Sequence, residues 1–317
     1  MMQFPTYDDV LAAHERIRPH VHRTPVLTSS HLDGLAGARL FLKCENLQKI
    51  GAFKARGACN AVFGLSEAQA VRGVLTHSSG NHGQALAYAA AKRGIPATIV
   101  MPETSAKPKL DAVRGYGGRV VTCAPGTKAR EEAVAAELAR TGAEIVHPYA
   151  DARVIAGQGT CARELLEEAG PLDAIVAPVG GGGLIAGTCV AVAGMAPRTM
   201  VFAAEPANAD DAFRSKQAGR LIEDDAPQTI ADGLRASLKP ITFHYVQNEV
   251  EEVLTVTEDE IVAAMRLVWE RLKIVIEPSS AVAVAAVLKN AQRFAGQTVG
   301  IIITGGNVDL DRLPWSA

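Results

Sequence analysis

Short runs of β-branched and apolar residues alternate along this chain with longer, alanine-rich stretches. The runs are "ARLFLKC", "GVLTHSS", "PATIVMP", "RVVTCA", "AEIVHPY", "LDAIVAPV", "TMVFAAE" and "TVGIIITGG". They are nearly continuous in hydrophobicity, as strands covered on both faces are. Strand, helix and strand in repetition predict an α/β protein with open, mostly parallel twisted sheets flanked by helices. Most of the runs end at Gly, Ser or Pro, and in such sheets ligands gather at the carboxyl ends of the strands. The loops to inspect are therefore "HSSGNHG", "PVGGGG", "AAEPANADD" and "TGGN".

No internal repeat, low-complexity tract or long linker marks a boundary, so two domains are expected to be interleaved rather than consecutive. Composition narrows the function. With 317 residues, 48% hydrophobic and 21% charged, the chain can bury a sizeable core. The formal charge is −2 and no Lys/Arg cluster interleaves with aromatics, which argues against a nucleic-acid partner. The opening "MMQFPTYDDV" lacks a basic-then-apolar leader pattern, and no apolar run approaches the ~18 residues of a membrane span. A cytoplasmic protein with small-molecule partners is expected. Cys44, Cys59, Cys123, Cys161 and Cys189 form no C-x-x-C pair, which suits small core residues in a reducing compartment.

Two stretches carry chemistry. In "DAIVAPVGGGGLIAG" a strand runs through Gly180, Gly181, Gly182 and Gly183 into a helix, an arrangement whose backbone N–H groups and helix dipole suit a phosphate. A tight turn with close strand-to-helix packing is the structural alternative. From Gly181 the loop also fits G-x-G-x-x-A, with Glu205 at about the interval of a ribose-binding acid, which keeps a nicotinamide-dependent oxidoreductase open. The second stretch, "KIGAFKARGACN", sets Lys54 among Ala52, Phe53, Ala55 and Gly57, apolar surroundings in which a lysine amine gains nucleophilicity. Arg56 reads as a structural or surface charge.

"GAFKARGA", "HSSGNHG", "GGGG" and "TGGN", in this order, resemble the pyridoxal-phosphate enzymes of the tryptophan-synthase-β fold (fold type II), most nearly the serine racemases and short serine/threonine dehydratases. The likeness covers nearly the whole chain, with further matches at "VIAGQGT", "AEPANADDAF", "TVTEDEI" and "EPSSAV". It implies a large cofactor-binding domain of residues 1–66 and 149–317, a small substrate-closing domain of residues 67–148, and a homodimer. By the same resemblance Lys54 holds pyridoxal phosphate as a Schiff base and acts as the base. Phe53 packs near the ring, Asn81 bonds the ring hydroxyl, Gly180 to Gly183 with Leu184 bind the phosphate, and Thr304 faces the pyridine nitrogen. Ser78, Ser79, Asn81, His82 and Arg130 receive the substrate, with Ser79 as acid/base on the face opposite the lysine. Glu205, the Ala209 carbonyl and Asp211 hold Mg²⁺ or Ca²⁺, an oxygen set that suits a hard cation.

The implied reaction is β-elimination: L-serine to pyruvate, or L-threonine to 2-oxobutanoate, with ammonia. Serine racemisation accompanies it if Ser79 returns a proton. Ala52 departs from the serine that many members carry before Phe-Lys, and some members acting on 3-hydroxyaspartate share the alanine, so that substrate is the alternative. With "LPWSA" as the last residues of the sequence, the C-terminal regulatory domain of biosynthetic threonine dehydratases, and with it feedback control by isoleucine, is not expected. From another class, a non-catalytic binder of pyridoxal phosphate or an amino acid also stays open.

Overall fold

The computed structural model describes residues 3–315 other than 79, 106 and 225. Ten strands form two sheets. In chain order they are β1 (Val26–Leu27), β2 (Arg39–Cys44), β3 (Val74–His77), β4 (Ala97–Pro102), β5 (Arg119–Cys123), β6 (Glu144–Ile145), β7 (Ala174–Pro178), β8 (Met200–Pro206), β9 (Glu252–Val256) and β10 (Thr298–Ile303). The larger sheet has the order β1-β2-β10-β7-β8-β9 and the smaller β5-β4-β3-β6. Every pairing is parallel except β1 with β2. All eight apolar runs are strands. The two unforeseen strands have physical reasons: β1 is a two-residue edge pairing too short to carry a pattern, and β9 starts on an acidic "EE" that breaks its apolar run.

The smaller sheet's strands all fall between Val74 and Ile145, inserted in the chain between β2 and β7 of the larger one. Helices cover both faces of the larger sheet. The helix Pro278–Lys289 is buried on nearly every side against one face, and Gly183–Met195 likewise against the other, which is why both are apolar all round. The smaller sheet packs on Asn81–Arg93. Cys44, Cys59, Cys161 and Cys189 are buried thiols, as expected. Cys123 is the exception: it ends β5, an edge strand, and is half-exposed. No helix among the described residues is long and apolar enough to cross a membrane.

Candidate active site

Lys54 opens the helix Lys54–Phe63, just after a turn that is left-handed at Ile50 (φ 58°) and Gly51 (φ 70°). A β-branched residue is strained there. The loop after β10 holds the turn in place: Asn307 Nδ2 donates to Ile50 O and Gly306 N to Gly51 O, both at 2.9 Å. Ala52 pairs with Gly305 across an isolated antiparallel bridge, and Phe53 N donates to Thr304 O at 2.9 Å. "GAFK" and "TGGN" are thus stitched together. Beyond them the Lys54 helix crosses the helix Ala152–Ala169 at two glycines, where a Cβ on Gly157 would sit 2.7 Å from Gly57 Cα. Only glycine permits that approach, and it draws Lys54 toward the interior.

Lys54 keeps some solvent contact, but among the described residues no carboxylate pairs with it. Its Nζ donates to Pro148 O at 2.9 Å and lies 5.1 Å from the Phe53 ring centroid. Burial lowers its pKa to about 8. A position at a helix N-terminus acts in the same direction, because the dipole there disfavours a cation.

Neutral imidazoles stand nearby. His82, predicted to receive substrate, is buried, and its Nε2 lies 3.2 Å from Val146 O while Nδ1 has no partner among the described residues. Burial, and then the Lys54 charge, hold it well below the usual histidine range. His147 accepts from Ala150 N at 2.9 Å through Nδ1, and burial with the charges of His77 and Lys54 depresses it to about 4. His77 meets the His147 ring edge-on at 5.8 Å and is lowered by burial and Arg130.

The glycine loop is crowded as well as permissive. A Cβ on Gly181 would lie 2.4 Å from the Tyr149 ring, on Gly180 2.8 Å from Leu234 Cα, and on Gly182 (φ 86°) 2.7 Å from Leu238. Among the described residues, no protein group accepts from the N–H groups of Gly180, Gly181 or Gly182, and the helix Gly183–Met195 begins directly behind them. Both the packing and the anion-cradle readings of these glycines therefore hold, and the donor set fits a phosphate. At the end of β10 Thr304 is buried, with its Oγ1 2.9 Å from Ser280 Oγ. Ser280 has one hydrogen to divide between Thr304 and the Gly305 carbonyl at 2.7 Å, so Thr304 can offer a ring nitrogen a hydrogen or a lone pair, never a charge.

Ser78 N donates to Val100 O at 3.1 Å, fixing the start of the "SSGNHG" loop. Ser79 lies outside the described residues. Asn81 donates from Nδ2 to Glu277 at 3.0 Å and accepts from Asn307 Nδ2 at 2.9 Å. Arg130 lies on the helix Thr127–Thr141, with Nε 3.3 Å from Gly126 O, and its charge reaches His77 and Tyr149.

Glu205 and Asp211 are both buried, and so is Ala209 between them. Glu205 accepts from Phe213 N at 2.6 Å and Ala212 N at 3.3 Å, yet burial and the Asp211 charge keep its carboxyl well above the usual range. Burial lifts Asp211 to about 6, and its Oδ2 has no partner among the described residues. No group of three or more His, Cys, Asp or Glu among the described residues is arranged for a metal, and the expected set contains only two carboxylates. Two buried, mutually repelling acids with an unpartnered oxygen still fit a hydrated cation.

Sequence reasoning missed Tyr149, Glu277, Ser280 and Asn307. Three of these stand inside "EPSSAV" and "TGGN", but nothing local reveals which partner each meets. Two clefts of about 540 and 470 Å³ are lined by residues other than Lys54.

An amine of lowered pKa, a phosphate-ready glycine loop and an uncharged ring-nitrogen partner converge here, and residues 17–305 match the family described as pyridoxal-phosphate dependent enzyme. The chain belongs to that family. The nicotinamide alternative falls with this membership. The pyridoxal-phosphate enzyme is 60% identical over 315 residues to the β-hydroxyaspartate dehydratase of Paracoccus denitrificans (strain Pd 1222), covering 99% of this chain and 100% of the relative. Among solved structures, serine racemase from Dictyostelium discoideum superposes with a TM-score of 0.93 at 48% identity, covering 96% of this chain and 99% of that one. The T.th. threonine deaminase gives 0.91 at 46%, covering 96% and 99%. The two mostly parallel sheets flanked by helices are the fold type II architecture.

Proposed function

We propose that this enzyme eliminates the β-hydroxyl of a hydroxyamino acid, with 3-hydroxyaspartate preferred over serine and threonine and oxaloacetate with ammonia as products. The full-length 60% identity to a β-hydroxyaspartate dehydratase carries this choice of substrate. Ala52, buried beside Phe53 and Lys54, agrees with it. Arg130 and Lys239, whose positive charges both reach His77 and Tyr149, add cationic character on that side, Lys239 being already paired with Glu223 at 2.9 Å.

Bound pyridoxal phosphate supplies an electron sink that acidifies an amino acid's α-proton and lets its β-hydroxyl leave. In this reading Gly180 to Gly183 and Leu184 anchor the phosphate, Phe53 flanks the ring, and Thr304 gives its nitrogen a neutral partner. Lys54 Nζ removes the α-proton. With a pKa of about 8, about a tenth of the amine is neutral at pH 7, against about one in three thousand for an ordinary lysine. The Pro148 carbonyl steadies Nζ without neutralising it, and the uncharged His82 and His147 do not compete for its proton. Ser78 and the backbone N–H groups opening the helix Asn81–Arg93 receive the α-carboxylate, while the Asn81 side-chain amide meets the ring hydroxyl. A hydrated Mg²⁺ or Ca²⁺ at Glu205, the Ala209 carbonyl and Asp211 relieves the repulsion between the two acids. Asp211 also accepts from Leu238 N, and Leu238 packs on Gly182, so the cation braces the phosphate loop. Ser79 on the opposite face and a cytoplasmic homodimer belong to the same reading.

The test is keto-acid release from L-serine, L-threonine and the stereoisomers of 3-hydroxyaspartate, each characterised by kcat/KM. At least a tenfold preference for one 3-hydroxyaspartate isomer is expected. A preference for serine or threonine overturns the substrate assignment while leaving the reaction type in place.

A further inference from the structure

Glu277 is a buried carboxyl beside the Lys54 turn that no cation pairs with among the described residues. It precedes the helix Pro278–Lys289, is 5% exposed, and accepts hydrogen bonds from two directions. Asn81 Nδ2 donates to its Oε1 at 3.0 Å and lies 3.3 Å from Oε2, and Asn307 N donates to Oε2 at 3.1 Å. Asn307 Nδ2 reaches both Asn81 Oδ1 and the strained Ile50 carbonyl at 2.9 Å. One carboxyl thus ties together the first residue of the smaller sheet's helix, the loop after β10 and the turn that presents Lys54. Gly305 leaves the space that Glu277 Oε1 occupies, since a Cβ there would lie 2.7 Å from that oxygen.

We propose that Glu277 is a positioning residue for the cofactor ring: as a carboxylate it fixes the Asn81 amide with one N–H turned to Glu277 and the other free for the ring hydroxyl. This rests on the reading that Asn81 contacts that hydroxyl. Protonation leaves Glu277 a weaker acceptor, so the Asn81 amide, held otherwise through its Oδ1 by Asn307 Nδ2 at 2.9 Å, is less firmly aimed and its remaining N–H is less well presented to the ring. The charged groups facing Glu277 are Asp232, on the short turn Asp232–Leu234, and Lys109, on the helix Lys107–Gly115. Lys109 pairs with Asp232, so its charge does not fully compensate the Glu277 carboxylate, and Asp232 opposes it. Burial and Asp232 raise Glu277 to about 7, within the range where enzymes work. Non-covalent affinity for the ring should therefore rise with pH through neutrality.

Pyridoxamine 5'-phosphate tests this, because it carries the ring hydroxyl but forms no covalent link with Lys54. Its Kd for cofactor-depleted enzyme is measured by fluorescence from pH 5.5 to 8.5 for wild type, Glu277→Gln, Glu277→Asp and Asn81→Ala, with thermal melting to verify folding. Relative to Glu277→Gln, wild type should tighten about tenfold or more across that range, the size of a hydrogen bond to a charged group. Glu277→Asp, which keeps the charge, should retain the pH step at weaker affinity. Parallel wild-type and Gln curves overturn the proposal, and if the Gln variant does not fold, absence of a step in the Asp variant overturns it. Loss of affinity in Asn81→Ala with no Glu277 effect sinks this inference alone. Unchanged affinity in Asn81→Ala sinks the Asn81 reading and the inference with it.

Discussion

Lys54 and Arg56 stand two residues apart on one helix, the first half-buried and the second fully enclosed, and they meet opposite electrostatic surroundings. Arg56 is fully buried and bonds Glu45 through Nε and Nη2, each at 2.7 Å, and Glu164 through Nη1 and Nη2 at 2.9 and 2.7 Å. Lys43 completes the cluster at 2.7 Å from Glu164, giving two cations and two anions with every strong contact satisfied. The Arg56 pKa is raised well above normal, while Lys54, given one carbonyl and no acid, falls to about 8. Paired burial fixes a charge for architecture, whereas unpaired burial makes a proton mobile for chemistry. Glu205, Asp211 and Glu277 are acidic counterparts of Lys54, and Glu164 of Arg56.

Removing Lys54 should produce the largest effect. Lys54→Ala is expected to cut turnover by ~10²-fold or more and abolish the visible band of lysine-bound cofactor, with the melting temperature nearly unchanged. Retention of the band in that variant would place the reactive amine elsewhere. Arg56→Met should do the reverse, costing about 3–5 kcal/mol of stability because two buried carboxylates lose their partner. Urea denaturation measures it, and a loss below about 1 kcal/mol would show the cluster to be dispensable.

The acidic half of the comparison is smaller in energy. Chelation should lower thermal stability and activity together, and Mg²⁺ or Ca²⁺ at a hundredfold excess over Kd should restore about 2–3 kcal/mol. Asp211→Asn should blunt both responses, and indifference of wild type to chelator would reduce the cluster to an acidic turn. The smallest signal is the pH dependence. Asp211 rises from 3.8 to about 6, so its contribution to stability is present below pH 3.8 and is lost as pH climbs through about 6. Glu164 falls to about 2, so its contribution is present above pH 4.5 and is lost as pH drops toward 2. In chelator, denaturation midpoints should decline from pH 4 to 7 less steeply for Asp211→Asn than for wild type, and Glu164→Gln should flatten the acid limb. Identical slopes in each pair would undo the contrast between paired and unpaired acids.

The parts legible in the sequence were those written locally. Continuous apolar runs gave eight strands, and short strings such as "GAFK" and "GGGG" carried their own chemistry. What escaped was written at long range. Arg56 read equally well as a surface charge, because its partners Glu45 and Glu164 lie on other elements and only the fold brings them together. Glu277 sat inside a motif already singled out, but its chemistry comes from Asn81 and Asn307, which the larger sheet and the smaller sheet's helix deliver separately. The glycine loop was legible both as an anion cradle and as a place of close packing, but not the Tyr149 ring and Leu234 that occupy its missing side-chain space, since they lie on other elements.

The place of β10 has a consequence for how the molecule comes into being. It is the last strand in the chain, yet it lies between β2 and β7, and its loop carries Thr304 and the Asn307 clamp on the Lys54 turn. While the ribosome is still making residues before Thr298, β2 and β7 have no neighbour to join them, and the lysine made early has no partner to shape its turn. Contacts of such long sequence separation form slowly. The amine therefore gains its reactive setting only as the whole chain closes, and a nascent or truncated fragment ending before β10 should carry the sequence of the site without the means to hold its cofactor in register.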